Sequence, residues 1–456
     1  MKQVKSIGTS SIGRKMRTLA VVGISALALA GCSIFGGGDD DSDDTPSIGN
    51  RTPILSRIAT DIVAHPSLAN VSVVLPPAET NADWPQGGRN ASKVSGHVSL
   101  ADAPTRAWTA QIDGTTNTRR LAAAPVIGDG KVFVVDSSGV IHAYNAESGS
   151  RLWSHRIQVS GDLEDATFGG GATYAGGIVY ATSGTGDVFA LDAETGAESW
   201  RRRPAGPLRG SPTVAFNAVY VMTQDNQIHA LNIADGTAVW QDAAASGQQG
   251  VFGVAAPAAG QGSIVAGYSS GELVAYRFEN GRVLWSDALA RTSISTEVGS
   301  LTDVDADPII SNDQVFALGQ GGRMAAYELS TGLRIWELTL AGISTPALAG
   351  EWIFTLTDDA RLLAIARNTG RVRWVTQLEA FRDPDDREGP IFWTGPVLAN
   401  NKLWIASSEG EVHSVDVMTG DTSLFSELND GVSLPPVVAN STLYILDDGG
   451  RLSAFR

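Results

Sequence analysis

Hydrophobic and polar residues alternate in short runs from Pro125 to the C terminus, and one run recurs eight times. Aligned on one hairpin, the units read VIHAYNAESGSRLW, VFALDAETGAESW, QIHALNIADGTAVW, LVAYRFENGRVLW, MAAYELSTGLRIW, LLAIARNTGRVRW, VHSVDVMTGDTSLF and LSAFR. A period of roughly 40 to 50 residues with four short strands per unit is typical of a β-propeller. The sequence therefore predicts an all-β fold, an eight-bladed β-propeller of four-stranded antiparallel blades.

Recurring positions within the unit indicate how the blades pack. A glycine ends a hairpin turn in seven units, and a second turn, three residues before the His142 position, holds residues that tolerate positive φ in seven of eight units. The residue after the His142 position is small in every unit. A tryptophan follows the first glycine by four residues in six units, and we expect each indole to fill the gap between neighbouring blades. These residues are Trp153, Trp200, Trp240, Trp285, Trp336 and Trp374.

The two ends of the repeat region complete each other. The last unit stops at Arg456 without its tryptophan strand, whereas TRAWTAQI, with Trp108, precedes the first unit. We expect this N-terminal strand to join the C-terminal blade, because closing the ring removes exposed sheet edges. The predicted organisation is a signal peptide (1–31), a lipidated cysteine with a flexible acidic linker (32–53), an extended segment (54–83) and the propeller (84–456).

The N terminus carries an export signal. A positively charged stretch precedes a short apolar run from Leu19 to Ala30, which is too short for a membrane span. The sequence Leu-Ala-Gly-Cys that ends at Cys32 resembles the lipobox of bacterial lipoproteins, and this resemblance implies cleavage and lipidation at Cys32. Cys32 is the only cysteine of the chain, so it has no disulfide partner within it. With Ser33 next, the resemblance implies an outer-membrane anchor that faces the periplasm.

The charge of the chain restricts its partners. The formal net charge is −16, and removal of residues 1–31 takes away five positive charges and shifts it to −21. Nucleic acid and anionic lipid repel a chain this acidic. We therefore expect no nucleic-acid partner, and a membrane attachment that depends on the lipid.

Candidate catalytic motifs have structural explanations. The sequence GYSSG at 267–271 matches a nucleophile elbow, but the repeat places it in a hairpin turn rather than between a strand and a helix. The aspartates of 303–307 begin like a calcium loop, but Pro308 stands where that loop needs glycine. Three histidines share one repeat position that elsewhere holds apolar residues or, at Ser453, serine, which favours a sheet position over metal ligation. They are His142, His229 and His413. The sequence thus predicts no catalytic, cofactor or metal site.

The rhythm A-x-x-x-x-T-G-x-x-x-W resembles the repeat of pyrroloquinoline-quinone-dependent dehydrogenases. That resemblance implies the eight-bladed architecture and leaves a quinoprotein dehydrogenase as an alternative function. Those enzymes carry an adjacent cysteine pair and bind calcium through acidic and amide side chains. Cys32 alone does not supply the pair, and no comparable cluster stands out from the repeat.

A second resemblance extends over the whole mature chain. The lipobox, the eight units, the length and the sequence WPQGGRN at 84–90 are similar to the BamB family, lipoproteins of the outer-membrane β-barrel assembly (BAM) machine. PLRGSP at 207–212 resembles the LRG loop of that family, and 296–305 resembles its TE…DVD loop. The resemblance implies a non-enzymatic scaffold whose loops bind the POTRA domains of BamA, alongside other BAM components and unfolded outer-membrane proteins. The implied partner-binding residues are Leu208, Arg209, Asp303 and Asp305.

The residues of these loops suit an interface. Both segments precede a proline that begins a blade, so we expect them on one face of the disc. Arg209 offers a planar fork of donors and Leu208 an apolar anchor. An alternative is that Arg209 and the aspartates only bridge adjacent blades. A third class of function is binding of a cell-wall or polysaccharide partner, for which exposed aromatic residues would form the platform. The candidates are Trp352, Trp393 and Trp404.

Overall fold

A computed structural model of the chain describes residues 62–158, 169–208, 210–244, 255–289 and 303–456. These residues form eight four-stranded antiparallel sheets, one two-stranded hairpin and a single 3-10 turn at Pro66–Leu68. Within these ranges no helix is long and apolar enough to cross a membrane. The predicted eight-bladed β-propeller is confirmed.

The strands follow the repeat. Blade 1 contains β2 (Val126–Gly128), β3 (Lys131–Val135), β4 (Val140–Asn145) and β5 (Arg151–Arg156). Blade 2 contains β6 (Ala172–Ala175), β7 (Ile178–Thr182), β8 (Val188–Asp192) and β9 (Glu198–Arg202). Blade 3 contains β10 (Thr213–Ala215), β11 (Ala218–Met222), β12 (Gln227–Asn232) and β13 (Ala238–Ala243), and blade 4 contains β14 (Ala258–Gly260), β15 (Ser263–Gly267), β16 (Glu272–Arg277) and β17 (Val283–Ala288). Blade 5 contains β18 (Ile309–Ser311), β19 (Gln314–Gly319), β20 (Arg323–Glu328) and β21 (Arg334–Leu338). Blade 6 contains β22 (Ala347–Ala349), β23 (Trp352–Leu356), β24 (Arg361–Ala366) and β25 (Val372–Gln377). The hairpin β26 (Phe381–Asp383) and β27 (Glu388–Pro390) precedes blade 7, which contains β28 (Trp393–Ala399), β29 (Lys402–Ser407), β30 (Glu411–Asp416) and β31 (Thr422–Glu427). Blade 8 contains β32 (Val437–Ala439), β33 (Thr442–Leu446), β34 (Arg451–Phe455) and β1 (Arg106–Gln111).

Each blade runs from the ring axis to the rim. The short first strands of successive blades contact one another, for example β2 with β6 and β6 with β10, so they lie innermost. Because neighbouring strands are antiparallel, the loop that enters each first strand and the turn between the second and third strands lie on the same face of the disc. We call this the entry face. The remaining turns lie on the opposite face.

The tryptophans pack between adjacent blades, as predicted. The indole of Trp285 in blade 4 donates a hydrogen bond to the carbonyl oxygen of Leu329 in blade 5 at 2.7 Å. It packs on Gly332, where φ is +72° and an added Cβ would lie 2.6 Å from the ring. Glycine is therefore required there both for backbone conformation and for close approach. Equivalent bonds join Trp108 to Ala146, Trp153 to Ala193, Trp200 to Ile233, Trp240 to Phe278, Trp336 to Arg367 and Trp374 to Val417.

The second recurring turn of the repeat, three residues before the His142 position, has positive φ in more blades than the sequence predicts. All eight residues at that position have positive φ, including Ala360 at +59°. The amide of Ala360 donates to the carbonyl oxygen of Thr357 at 3.0 Å, so the turn closes without glycine. The GYSSG motif lies in the same kind of turn, as predicted, with the amide of Gly271 donating to Tyr268 at 2.9 Å.

Ring closure is also confirmed. Strand β1 pairs with β34, and Trp108 lies opposite Ala454, the position that tryptophan and alanine occupy in complete units. The amide of Arg456 donates to the carbonyl oxygen of Thr105 at 2.8 Å. The two ends of the repeat region thus form one blade.

Residues 81–98, which we call the axial segment, run around the inside of the ring. They bond to the first strands of seven blades, so this stretch with little regular structure is held from several sides. The contacts join Asn81 to Val438, Trp84 to Ile127, Pro85 to Tyr174, Gln86 to Val214, Ala91 to Ala259, Ser92 to Ile310 and Val98 to Leu398. The WPQGGRN sequence therefore forms part of the core of the ring.

Candidate functional site

A pocket of about 300 Å³ occupies the channel on the entry-face side. Its walls are the residues that lead into the first strands, including Ser211, Asp305 and Thr345, and its floor is the axial segment with Trp84 and Lys93. Because its walls are the residues that enter the first strands, the pocket lies on the entry face.

Lys93 is the charged group at the floor of this pocket. Its side chain is fully buried, and Nζ lies 3.5 Å from Oδ2 of Asp307. Burial lowers the pKa of Lys93, and the Asp307 carboxylate opposes that shift. Asp307 is fixed in turn, because its Oδ1 accepts a hydrogen bond from the amide of Ala256 at 2.7 Å and its own amide donates one to Thr345 Oγ1 at 3.0 Å. The axial segment, blade 4 and blade 6 therefore meet at this ion pair.

Asp305 lies on the pocket wall two residues before Asp307. Burial, together with the charges of Asp303 and Asp358, raises the pKa of Asp305 to about 7. Burial also raises the pKa of Asp358 to about 6. Negative charge is thus concentrated at the mouth of the channel, and a positively charged group placed there would stabilise the ionised carboxylates.

The predicted partner-binding residues differ in their exposure to solvent. Leu208 is completely buried with Tyr180 and Val219, and its amide donates to the carbonyl oxygen of Ser183. It therefore holds its loop on blades 2 and 3, and its side chain offers no surface as the apolar anchor that the sequence suggested. Asp303 is almost completely buried, whereas Asp305 is partly exposed. Arg209 lies outside the described residues, as do Thr296, Glu297 and Cys32.

Two exposed apolar side chains lie beside the channel mouth. Ile343 is 47% exposed and Phe392 is 62% exposed, and both border a shallow cleft that also contains Asp358. They lie in the connections that enter blades 6 and 7, outside the repeated positions. The repeat pattern therefore gave no reason to select them. The sequence feature that could have identified them is an apolar residue a few positions before the proline that begins a blade.

The expected aromatic platform is wrong for two of its three members. Trp352 is only 4% exposed and Trp404 only 2%, because both lie inside core clusters between blades. Trp404 packs edge-on against Phe425 with ring centroids 5.0 Å apart. Trp393 is partly exposed, and its indole donates to the carbonyl oxygen of Glu379. Of the three candidates, only Trp393 therefore keeps exposed surface.

The three histidines occupy sheet positions, as predicted. His142, His229 and His413 lie on β4, β12 and β30, in three different blades. His142 pairs with Asp136 at 2.7 Å and His413 with Glu411 at 3.2 Å. Across the described ranges, no three His, Cys, Asp or Glu side chains are grouped so as to hold a metal ion.

The channel does not fit pyrroloquinoline quinone. This cofactor carries three carboxylates, and the described pocket wall offers the ammonium of Lys93 next to the carboxylates of Asp305 and Asp307. The charge balance therefore opposes the cofactor. Since Cys32 is the only cysteine, the chain also lacks the adjacent pair that those dehydrogenases carry.

The fold and the channel define an eight-bladed propeller built from repeats of the pyrroloquinoline-quinone type. The family model described as outer membrane protein assembly factor BamB matches residues 94–167 and 137–376, which together are more than half of the chain. The chain belongs to this family.

Individual relatives agree with that assignment. An outer membrane protein assembly factor BamB from Yersinia pestis is 25% identical over 358 residues, which are 77% of this chain and 89% of the relative. The crystal structure of BamB from Moraxella catarrhalis has a TM-score of 0.64 at 20% identity, covering 77% of this chain and 99% of that one. The quinohemoprotein alcohol dehydrogenase of Comamonas testosteroni reaches the same TM-score at 14% identity, covering 83% and 81%. At these identities the two structures show a shared fold only.

Proposed function

We propose that this protein is a non-enzymatic scaffold of the BAM complex that binds the POTRA domains of BamA through its entry face. In this role it assists the folding and insertion of outer-membrane proteins. The observation that carries the proposal is the meeting of two loops at one place. Gly210 and Ser211 of the PLRGSP segment and Asp305 of the DVD segment line the same channel mouth.

The surroundings of that mouth suit a protein partner. A rigid ring holds the loops, which lowers the entropy lost on binding. Phe392 and Ile343 supply exposed apolar surface, and Asp305 and Asp358 supply negative charge beside it. Aromatic side chains and arginine are enriched at the centres of protein interfaces. We therefore propose Arg209, Asp305 and Phe392 as contact residues, with Leu208 and Asp303 supporting the loops from within.

Charge reversal of Arg209 tests the docking face. We expect Arg209→Glu to weaken binding of the BamA POTRA region by roughly 1 to 4 kcal/mol, the range for interface hot spots. The matched control is Arg282→Glu, which makes the same charge change in the turn between β16 and β17, on the opposite face. Isothermal titration calorimetry on the mature protein measures affinity, and melting temperature is recorded for each variant.

The same measurements separate docking from a bridge between blades. If Arg209 and the aspartates only join blades, Arg209→Glu and the paired Asp303→Ala and Asp305→Ala change would lower the melting temperature while the folded protein bound normally. Unchanged affinity in a well-folded Arg209→Glu variant would exclude this loop as the docking site.

We further propose that the protein is anchored by a lipid on Cys32 in the outer membrane, facing the periplasm. The support is the lipobox sequence together with a net charge that opposes direct contact with anionic lipid. We expect Cys32→Ala to give a poorly processed or soluble periplasmic protein. Fractionation of the envelope with lipid labelling is the measurement, and a variant that stayed in the outer-membrane fraction with label intact would contradict the anchor.

A further inference from the structure

A groove of about 370 Å³ lies between blades 2 and 3 on the opposite face, away from the channel pocket. Its lining comes from the first turn of blade 2, from Trp200 on the outer strand and from Ile233 of blade 3, and none of the lining residues is charged. Ala175, Ile178 and Ile233 are partly exposed, so a ligand in the groove can contact them. An exposed apolar groove marks an interaction site when a suitable occupant exists.

The repeat places an equivalent groove between blades 6 and 7. The correspondence follows from the partners across the first hairpin of each blade and from the hydrogen bond between each tryptophan and the next blade. The corresponding residues are Ala175 and Ala349, Ile178 and Trp352, Trp200 and Trp374, and Ile233 and Val417. The two grooves therefore have the same construction.

The groove between blades 6 and 7 is occupied by the protein itself. Residues 62–77, which we call the strap, run over it, and the buried side chain of Val73 belongs to the same core cluster as Trp352 and Trp374. Leu75 packs against that cluster as well, whereas Val74 between them is exposed, as in an extended chain. Positions that are partly exposed between blades 2 and 3 are buried beneath the strap. They are Ala349, Trp352 and Val417.

Polar contacts hold the strap in addition to its apolar side chains. Nε of Arg373 donates to the carbonyl oxygen of Val71 at 2.7 Å. The amide of His65 donates to the carbonyl oxygen of Val372 at 2.7 Å, on β25, the outer strand of its blade.

The groove between blades 2 and 3 keeps only part of this arrangement. Its outer strand β9 is also the edge of a sheet, and a strand edge offers main-chain groups to an extended peptide. Ser199 stands where Arg373 stands in blade 6, so the long donor is replaced by a short hydroxyl. We therefore expect this groove to hold a peptide less firmly than blades 6 and 7 hold the strap.

Glycine at position 176 keeps the groove open. The same turn position in blade 3 is Phe216, whose ring packs on Phe278 of blade 4 with centroids 4.5 Å apart. Between blades 5 and 6, Arg367 lies over Phe316 and donates to the carbonyl oxygen of Ser311 at 2.7 Å. A Cβ added at Gly176 would meet no atom within 4 Å. Space that side chains of the ring fill elsewhere is thus accessible between blades 2 and 3.

We propose that this groove binds an extended, uncharged segment of another protein that has Val, Ile or Leu at alternate positions. One such side chain enters between Ile178 and Ile233 over Trp200, as Val73 enters between Trp352 and Val417. The main chain of the segment follows the edge strand β9. Binding is non-covalent and takes place on the face opposite the channel mouth, so it does not require the entry face.

Fluorescence anisotropy on the mature protein, without any partner, tests this proposal. The probe is a labelled synthetic peptide with the sequence of residues 70–77, NVSVVLPP, which is the part of the strap that contains Val73. We expect saturable binding of this peptide. The same peptide with Val73→Asp should bind at least about tenfold more weakly, because a carboxylate would be buried against apolar side chains.

Three protein variants assign the site. We expect Gly176→Phe to weaken peptide binding about tenfold, because the new ring fills the groove as Phe216 does in the next blade. Gly176→Asn is the matched control, since asparagine occupies this turn position with positive φ at Asn312 and Asn400, and it should leave binding nearly unchanged. Ser199→Arg should strengthen binding several-fold by supplying the donor that Arg373 gives to the strap. The melting temperature of each variant shows that it is folded.

Several results would overturn the proposal. Folded wild-type protein that gave no saturable binding would do so, as would equal binding of the Val73→Asp peptide. Unchanged binding in Gly176→Phe would mean that the peptide only exchanges with the strap between blades 6 and 7. Sedimentation that showed a dimer, lost in Gly176→Phe, would make the occupant the strap of a second copy instead of another protein. Since BamA is absent throughout, these results are independent of the docking measurements.

Discussion

Replacing Trp285 by alanine is expected to lower the free energy of unfolding by about 3 to 5 kcal/mol, the usual cost of removing a buried large aromatic side chain. The indole fills the space between blades 4 and 5, where it packs on Gly332 and stacks on Tyr327 with ring centroids 5.6 Å apart. The variant also leaves the carbonyl oxygen of Leu329 without its 2.7 Å hydrogen bond. Neighbouring blades cannot close this space, because each is a rigid sheet.

Urea unfolding followed by circular dichroism measures this loss. The matched control is Leu284→Ala, since Leu284 is the preceding residue of the same strand and points to solvent. We expect it to cost less than about 1 kcal/mol. Similar losses for the two variants would mean that the tryptophan contributes only local strand stability and does not join the blades.

This pair of residues shows why so much of the fold was predictable. Trp285 and Gly332 contact across a blade boundary, yet each occupies a fixed position in its own repeat. One long-range contact therefore recurs around the ring and leaves a periodic pattern in the sequence. Ring closure was predictable for the same reason, because Trp108 and Ala454 supply the two halves of one unit.

The charged groups of the channel were not predictable, because they lie outside the repeated positions. Lys93 belongs to the axial segment, and its partner Asp307 lies more than 200 residues later in the chain. No spacing rule connects two residues that meet only when the ring is complete. The WPQGGRN sequence suggested a family but gave no position for its residues.

Burial of individual side chains was equally hard to infer. The sequence suggested Leu208 as an apolar anchor for a partner because it precedes an arginine in a loop, and Trp352 as part of an exposed platform because it departs from the repeated tryptophan position. Both are inside core clusters. Loops that enter innermost strands point partly into the ring, so residue type alone does not decide whether their side chains meet solvent.

Replacing Asp307 by alanine is expected to cost about 3 to 5 kcal/mol, because it leaves the buried ammonium of Lys93 without its counter-charge. It also removes the acceptor for the amide of Ala256. Lys93→Met should cost much less, since methionine fills similar space and Asp307 remains partly exposed and bonded to that amide. Urea unfolding of the mature protein gives the free energies, with the exposed Asp421→Ala as control.

A double variant tests whether the loss of stability in Asp307→Ala comes from the unpaired charge of Lys93. If it does, Lys93→Met combined with Asp307→Ala should be more stable than Asp307→Ala alone, because no uncompensated ammonium remains in the core. If the two losses simply added, the ion pair would contribute nothing and the Asp307 side chain would act only through its hydrogen bond from the amide of Ala256. A partial recovery of about half or more would show that the axial segment is held to the ring by the charge of Lys93, at the floor of the pocket that opens on the entry face.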